Sequence, residues 1–418
     1  MPSASLDDWL RRLETAHPQA IDLGLERVAT VWRRLGASRP APLCIIVGGT
    51  NGKGSTVALV EAMLRAAGHR VGAYTSPHLL RYNERLRIDG IDVEDARWVA
   101  AFERIESARA EISLTYFEVG TLAAFLICAE AALDAAVLEI GLGGRLDAVN
   151  LIDGDVAILT SVDLDHQAWL GDTREAIGWE KAHIFRAGKP AVIALPDPPE
   201  SVLRYTRDLG AIGLPVRISG DHGDAGFDLA LPDGPLRLPR PALAASCQVR
   251  NAAAAALALW AVRKAWRYSV AALQAGVTAA RVTGRLQRLA RAPETWVDVA
   301  HNPEAARVLA QWLGSAPARP GVAVFAALAD KDLEGIVAPL RECFSAWLTL
   351  DLRPQSPRAR SDRELADALR ALLPAAVSVR AVGDIQHALA AADELAGPDG
   401  RVLVFGSFLT VAAALAAG

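Results

Sequence analysis

The feature that most constrains this chain is a glycine-rich turn between an apolar run, Leu43–Val47, and a helix-forming stretch from about Lys53 to Ala67. The turn reads Gly48-Gly49-Thr50-Asn51-Gly52-Lys53-Gly54-Ser55-Thr56. Glycines let successive backbone N–H groups face an anion, the helix N-terminus adds its dipole, and Lys53 adds a point charge. Ser55 or Thr56 offers a hydroxyl to magnesium. The common GxxxxGK[ST] spacing is not met, because Gly49 and Gly52 enclose only Thr50 and Asn51, and Gly54 separates Lys53 from Ser55. An ordinary strand-to-helix turn would share the glycines. The coincidence of glycine, lysine and hydroxyl in the right context favours a phosphate loop.

The rest of the chain repeats the alternation of apolar runs and helical stretches. Strands are predicted at Val71–Tyr74, Ala135–Ile140 and Asp155–Leu159, with helices over Tyr116–Ala132, Asn251–Trp266 and Val270–Ala280. Continuous apolar strands separated by helices imply a mostly parallel sheet covered on both faces. Pro196–Pro241, rich in Pro, Gly and Asp, reads as loops and hairpins decorating that sheet. After Gly284 the pattern restarts. Strands are predicted at Thr295–Val299, Val322–Ala327, Ala346–Leu350, Val377–Ala381 and Val402–Phe405, with helices at Pro303–Trp312, Asp332–Cys343, Asp362–Leu373 and Asp384–Leu395. The expected division is therefore 1–285 and 286–418, two α/β domains, the second smaller.

Charge and cysteine usage narrow the class. Lys+Arg number 44 against 48 Asp+Glu, so nothing favours a nucleic-acid or anionic-membrane surface. No apolar run approaches the roughly 18 residues of a membrane span. The acidic start and the four scattered cysteines fit a cytoplasmic chain with buried thiols better than a secreted or zinc-bearing one.

Other chemistry-bearing residues follow predicted strands, where open α/β sheets bind ligands. Glu139 precedes a glycine cluster, Gly141 to Gly144, then Arg145, Leu146 and Asp147. Its carboxylate suits magnesium or substrate, or could pair with Arg145 alone. His166 lies in Asp163-Leu164-Asp165-His166, which would also suit a solvated acidic turn, and Lys181 read alone is a helix-surface lysine. Asp298-Val299-Ala300-His301-Asn302-Pro303 ends a strand and opens a helix, with Asn302 a natural N-cap before proline. Asp330-Lys331-Asp332 occupies the equivalent edge of a later strand.

Together these residues resemble the folylpolyglutamate synthase and dihydrofolate synthase family of the Mur-ligase-like superfamily. The resemblance runs through IDLGLERV (Ile21–Val28), GTNGKGS (Gly49–Ser55), TSPHL (Thr75–Leu79), NERLR (Asn83–Arg87), TYFEVGTLAA (Thr115–Ala124) and EIGLGGRLDAVN (Glu139–Asn150). It continues through LDHQAWLG (Leu164–Gly171), WEKAHIFR (Trp179–Arg186), GRLQ (Gly284–Gln287), DVAHNP (Asp298–Pro303), ADKD (Ala329–Asp332) and GSFLTV (Gly406–Val411). Ala182-His183 stands where Ala-Gly is more usual, Leu286 where phenylalanine is, and Leu409 where a histidine is common.

The resemblance implies a P-loop-type ATPase domain with a central sheet, a Rossmann-like glutamate-ligase domain, and use of ATP with two magnesium ions. Asn51, Gly52, Lys53, Gly54, Asn251, Arg285 and Asp298 would bind ATP. Ser55, Ser76, Glu139, His166 and Lys181 would serve the metals, Lys181 as a carbamate whose oxygens replace an ammonium that cannot coordinate. Phe117, Glu118, Val119, Gly120, Leu146, Asp147 and Ala148 would hold the pterin. Lys53, Lys181, His166 and His301 would carry catalysis, and His301, Asp330, Lys331 and Asp332 would form a glutamate-side rim. The implied reaction adds L-glutamate to dihydropteroate and to reduced folates through an acyl phosphate, on small-molecule substrates and as a monomer. A folylpolyglutamate synthase alone, a Mur-type cell-wall ligase or a non-ligase ATPase are the alternatives. The cell-wall reading expects a further N-terminal domain, and about 40 residues precede the first core strand here.

Overall fold

The first core strand, Leu43–Gly48, is buried along its whole length. Its side chains divide between two cores as the two-residue period of a strand requires: Cys44 and Ile46 join one apolar cluster, and Leu43, Ile45 and Val47 the other. Ala136 and Leu138 oppose Ala135 and Val137 in the same way. A strand covered on both faces has no polar position to spare, which is why the sequence shows unbroken apolar runs. In this computed structural model residues 4–19 and 21–417 are described. Met1–Ser3 and Gly418, the outer ends of the two expected domain ranges, lie outside the described residues.

The chain divides into two units, residues 1–242 with 249–281, and residues 243–248 with 282–418. The sheet of the first unit comprises β1 (Leu43–Gly48), β2 (Val71–Tyr74), β3 (Leu86–Ile88), β4 (Ile91–Asp92), β5 (Ala135–Glu139), β6 (Val156–Leu159), β7 (Pro190–Ile193) and β8 (Ile212–Pro215). Their order is β4-β3-β2-β5-β1-β6-β7-β8, parallel from β2 to β8, with β3 and β4 an antiparallel edge. From β1 the chain moves outward to β2, returns through β5, then crosses to β6 on the other side. The direction of winding thus reverses at β1, and the crevice past the carboxyl ends of β5, β1 and β6 is where such a sheet binds ligands. Register places Val47 beside Glu139 and Gly48 beside Leu159.

Helix Lys53–Ala66 follows β1 and packs on Val270–Ala279 so closely that a Cβ at Gly276 would fall 2.4 Å from Met63 Cα. Helix Tyr116–Glu130 is buried from Glu118 to Cys128 and starts from a Thr115/Glu118 capping box.

Two sequence expectations are corrected. Within Pro196–Pro241 the chain forms a helix, Glu200–Leu209, and β8 joins the main sheet; β9 (Ile218–Asp221), β10 (Phe227–Leu229) and β11 (Leu236–Leu238) then make a small antiparallel sheet. The helix is hard to read because it buries only Ser201, Val202 and Thr206. Asp332–Cys343 is no continuous helix: Leu333–Val337 gives way to a 3-10 turn, Ala338–Leu340, at Pro339, which lacks the amide hydrogen a helix needs.

The second unit contains β12 (Gln287–Arg288), β13 (Glu294–Asp298), β14 (Gly321–Phe325), β15 (Ala346–Leu350), β16 (Ser378–Gly383) and β17 (Arg401–Phe405), ordered β12-β13-β17-β14-β15-β16. All but β12 run parallel. Among the described residues no helix is long and apolar enough to cross a membrane.

Candidate functional site

The turn after β1 is held by the turn after β6. Thr50 and Asn51 amides donate to the Ser161 carbonyl and hydroxyl, both at 2.9 Å, and Thr160 Oγ1 donates to the carbonyls of Gly48 at 3.0 Å and Asn51 at 2.6 Å. This close seam explains Gly49: its φ is 146°, and a Cβ there would fall 1.9 Å from Thr160 Oγ1. Gly52, at φ 83°, caps the helix and lies against Asn251, whose side chain would be 3.0 Å from a Cβ. Of the expected ATP residues, Asn51, Gly52, Lys53 and Gly54 lie on this turn and the helix start that follows it, and Asn251, from helix Cys247–Val262, lies against Gly52.

Lys53 curls over that loop, its Nζ donating to the Gly49 and Thr50 carbonyls at 3.1 Å. Lys181 comes from helix Arg174–Ala182, is buried, and donates to the same Gly49 carbonyl at 3.1 Å. It is therefore bound to the loop from a neighbouring helix and is not a surface lysine.

Glu139, at the end of β5, is buried, accepts the Ser76 amide at 3.3 Å, and sits 3.5 Å from where a Cβ on Gly54 would be. Arg145 pairs instead with Glu180 at 2.9 Å. Ser55 lies buried in the first turn of helix Lys53–Ala66, directly after Gly54, and the Thr56 hydroxyl is buried without a hydrogen-bond partner. Among the described residues no three His, Cys, Asp or Glu side chains cluster to cage a metal. Magnesium at a nucleotide takes one or two carboxylates together with phosphates and water. Glu139 with the hydroxyls of Ser55 and Ser76 offers that oxygen chemistry, so the residues fit the ion.

Next to this loop lies a pocket of about 240 Å³. Ser76 and His166 line its wall together with Phe117, Leu146, Asp147 and Ala148. Glu118 also lines it, but its carboxylate accepts the Thr115 amide at 2.7 Å and pairs with Arg27 at 2.9 Å, which commits it to holding the helix. Val119 and Gly120 lie outside the lining: Val119 is core, and a Cβ on Gly120 would meet the Tyr82 hydroxyl at 2.5 Å. Asp147 is buried, accepts the Leu142 and Val149 amides at 2.8 and 2.9 Å, and burial raises its pKa to about 6. His166 adopts a left-handed φ of 52° with Asp165 3.8 Å away. The sequence assigned no site role to Ile21–Gly24, Thr115 or Arg85, which also form this wall. Their only sequence signal is that they fall in family-like motifs.

In the second unit, Asp298 ends β13, its carboxylate accepting the Leu286 amide at 2.7 Å and the Ala300 amide at 2.8 Å; burial raises its pKa. The Arg285 guanidinium lies 5.3 Å over the Phe408 ring, and the His301 ring 5.9 Å from it. Asn302 caps helix Pro303–Ser315 through the Ala305 amide at 3.0 Å, with Pro303 in the first turn. Asp332 caps Leu333–Val337, Asp330 pairs with Arg358 at 2.9 Å, and Lys331 lies between them in the same turn.

Comparisons with known proteins show what the chain is similar to. The Mur ligase middle domain pattern matches residues 47–259, and the pattern described as Mur ligase, glutamate ligase domain matches 284–408. The dihydrofolate synthase/folylpolyglutamate synthase of Escherichia coli K12 is 41% identical over 414 residues, covering 98% of this chain and 94% of that protein. A structure of E. coli FolC in complex with DHPP and ADP superposes with a TM-score of 0.92 at 40% identity, covering 99% of this chain and 97% of that one. A bifunctional folylpolyglutamate synthase/dihydrofolate synthase with Mn, AMPPNP and L-glutamate bound gives 0.91 at 42% identity, covering 99% and 98%.

Proposed function

The chain belongs to the dihydrofolate synthase/folylpolyglutamate synthase family of Mur ligases, and on that premise we infer that it joins L-glutamate to 7,8-dihydropteroate and to reduced folates at the expense of ATP. One observation carries the reading. Ser76 lines the pocket and donates its amide to Glu139, so the pocket opens beside the phosphate loop. A flat substrate seated there would present its carboxylate to the terminal phosphate of a nucleotide on the loop.

A carboxylate is a poor acyl donor because its leaving group would be an oxide. Its oxygen attacks the γ-phosphorus, the bond to the β-bridging oxygen breaks, and ADP departs. The glutamate amine, having lost a proton, then attacks the acyl carbon and phosphate leaves. Lys53 and the amides of Asn51 to Gly54 are proposed to offset charge on the transferring group, with Asn251 alongside. Glu139, Ser55, Ser76 and His166 are proposed to hold magnesium, which when bound would screen the phosphoryl charge. In the second unit Arg285 and Asp298 are proposed to serve the nucleotide, and His301 with the Asp330–Asp332 turn the incoming glutamate. We assign residues 1–285 to the ATP domain and 286–418 to the glutamate-ligase domain, and place the enzyme in the cytoplasm as a monomer.

ADP release with dihydropteroate and with tetrahydrofolate, each with glutamate and Mg-ATP, tests the reading. Turnover on both is expected. Turnover on tetrahydrofolate alone would restrict the enzyme to chain extension. ATP hydrolysis independent of any acceptor, with no hydroxamate trapped by hydroxylamine, would refute the ligase.

A further inference from the structure

Arg85 is the cation in the pocket wall that the reaction above does not use. It ends the 3-10 turn Tyr82–Arg85 and is only 8% exposed. Its guanidinium carbon lies 5.1 Å over the Tyr82 ring and 5.3 Å over the Tyr116 ring, and its Nε donates to His78 Nδ1 at 2.9 Å. That bond requires His78 to be neutral, in keeping with burial and the Arg85 charge, which lower its pKa to about 4. The neighbouring carboxylate, Glu84, is turned away and accepts the amides of Leu79, Leu80 and Arg81. Arg85 thus stands in the wall as a planar cation with its position fixed by two rings and a histidine, and among the described residues no carboxylate forms an ion pair with it. A buried charge is costly unless a partner is supplied. Here the missing partner is a ligand.

We propose that Arg85 is a specificity-determining residue that reads the N5 edge of the pterin, and so distinguishes dihydropteroate from tetrahydrofolate. The inference rests on the pteroyl-acceptor reading above. Phe117, Leu142 and Leu146 line the same pocket as Arg85 and offer apolar surface suited to a flat heterocycle. A 7,8-dihydropterin carries two acceptors side by side in its plane, the 4-oxo oxygen and the imine nitrogen N5. They are arranged as O6 and N7 are in guanine, the edge that arginine binds with two parallel hydrogen bonds. In a tetrahydropterin N5 carries a hydrogen and is no longer a planar imine, so one of the two acceptors is lost. The terminal nitrogens of Arg85 therefore satisfy two bonds with the first acceptor substrate and one with the second. A lysine, a point charge without the fork, cannot make that distinction.

The test begins with wild-type protein and both acceptors, so that a failure to ligate either is read as failure of the ligase assignment and not of this one. Arg85→Lys is then expected to raise KM for dihydropteroate about tenfold or more, as loss of a bidentate pair does, with KM for tetrahydrofolate changed less than about threefold and KM for ATP unchanged. Equal rises for both acceptors would mean that Arg85 only shapes the pocket. A second measurement needs no variant: 5-deaza-7,8-dihydropteroate, in which N5 is replaced by a C–H group, should bind wild-type protein about tenfold more weakly than dihydropteroate. Equal binding of the two would overturn the proposal even if the variant failed to fold.

Discussion

Lys181 and Lys53, from helices far apart in the sequence, both donate to the carbonyl oxygen of Gly49, each at 3.1 Å. Two ammonium groups on one acceptor repel, and Lys181 is buried besides. A carbamate on Lys181 would resolve the conflict. It keeps one N–H for Gly49 while turning the cation into an anionic oxygen donor at the loop. Protein equilibrated with ¹³C-bicarbonate should show a carbamate carbon signal that Lys181→Ala lacks, and Lys181→Ala should lose about 10- to 100-fold or more in kcat. No signal together with full activity would return Lys181 to a packing role.

Gly49 should tolerate no side chain. Its φ of 146° suits glycine, and a Cβ would meet both Thr160 Oγ1 and, at 2.9 Å, the backbone nitrogen of Ser161, the residue whose carbonyl and hydroxyl accept the loop amides of Thr50 and Asn51. Gly49→Ala is expected to cost about 2–4 kcal/mol by urea denaturation and to abolish nucleotide binding in the protein that still folds. Near-normal ATP affinity would mean that the loop can move away from the turn after β6.

Much of this was legible in the chain because it is written locally. The run Leu43–Gly48 with its glycine loop, the Asn302-Pro303 helix start and the parallel strands of both units each depend on neighbours in sequence. Glu118 is instructive in the other direction. It stands in a stretch that resembles a pterin-binding segment, but Thr115 and Glu118 are spaced as a capping box, and that is where one carboxylate oxygen goes. Arg85 could not be found from its neighbours, because its meaning comes from Tyr116, His78 and a pocket wall assembled from six stretches of chain. The helix Glu200–Leu209 stayed hidden for a similar reason: its few buried residues find their partners only in the fold.

Asp147 should leave a signature in the pH dependence of stability. Burial lifts its folded pKa to about 6, above the roughly 3.9 of an unfolded aspartate. The protonated acid is therefore favoured by folding, and this contribution is complete below about pH 4 and lost as pH rises through 6. The loss amounts to at most about 3 kcal/mol. Asp147→Asn carries no such titration, and its fixed penalty for the amides of Leu142 and Val149 does not vary with pH. The stability of the wild type minus that of Asp147→Asn should therefore fall between pH 4 and 6 and then level off. A difference that stays flat over that range would place the titration elsewhere.

Glu139→Gln separates charge from shape at the end of β5. Glutamine has nearly the same volume, and its amide oxygen can still accept the Ser76 amide that Glu139 accepts at 3.3 Å. What disappears is the negative charge 3.5 Å from the Cβ position of Gly54. If that charge holds magnesium, half-saturation by Mg²⁺ should rise about 10- to 100-fold while the thermal midpoint moves little. ATP binding measured without the metal should be unchanged or tighter, since a carboxylate near phosphate is repulsive unless a cation lies between them. An unaltered magnesium requirement with reduced stability would instead make Glu139 a structural acceptor for the Ser76 turn, and the metal would have to be sought nearer His166.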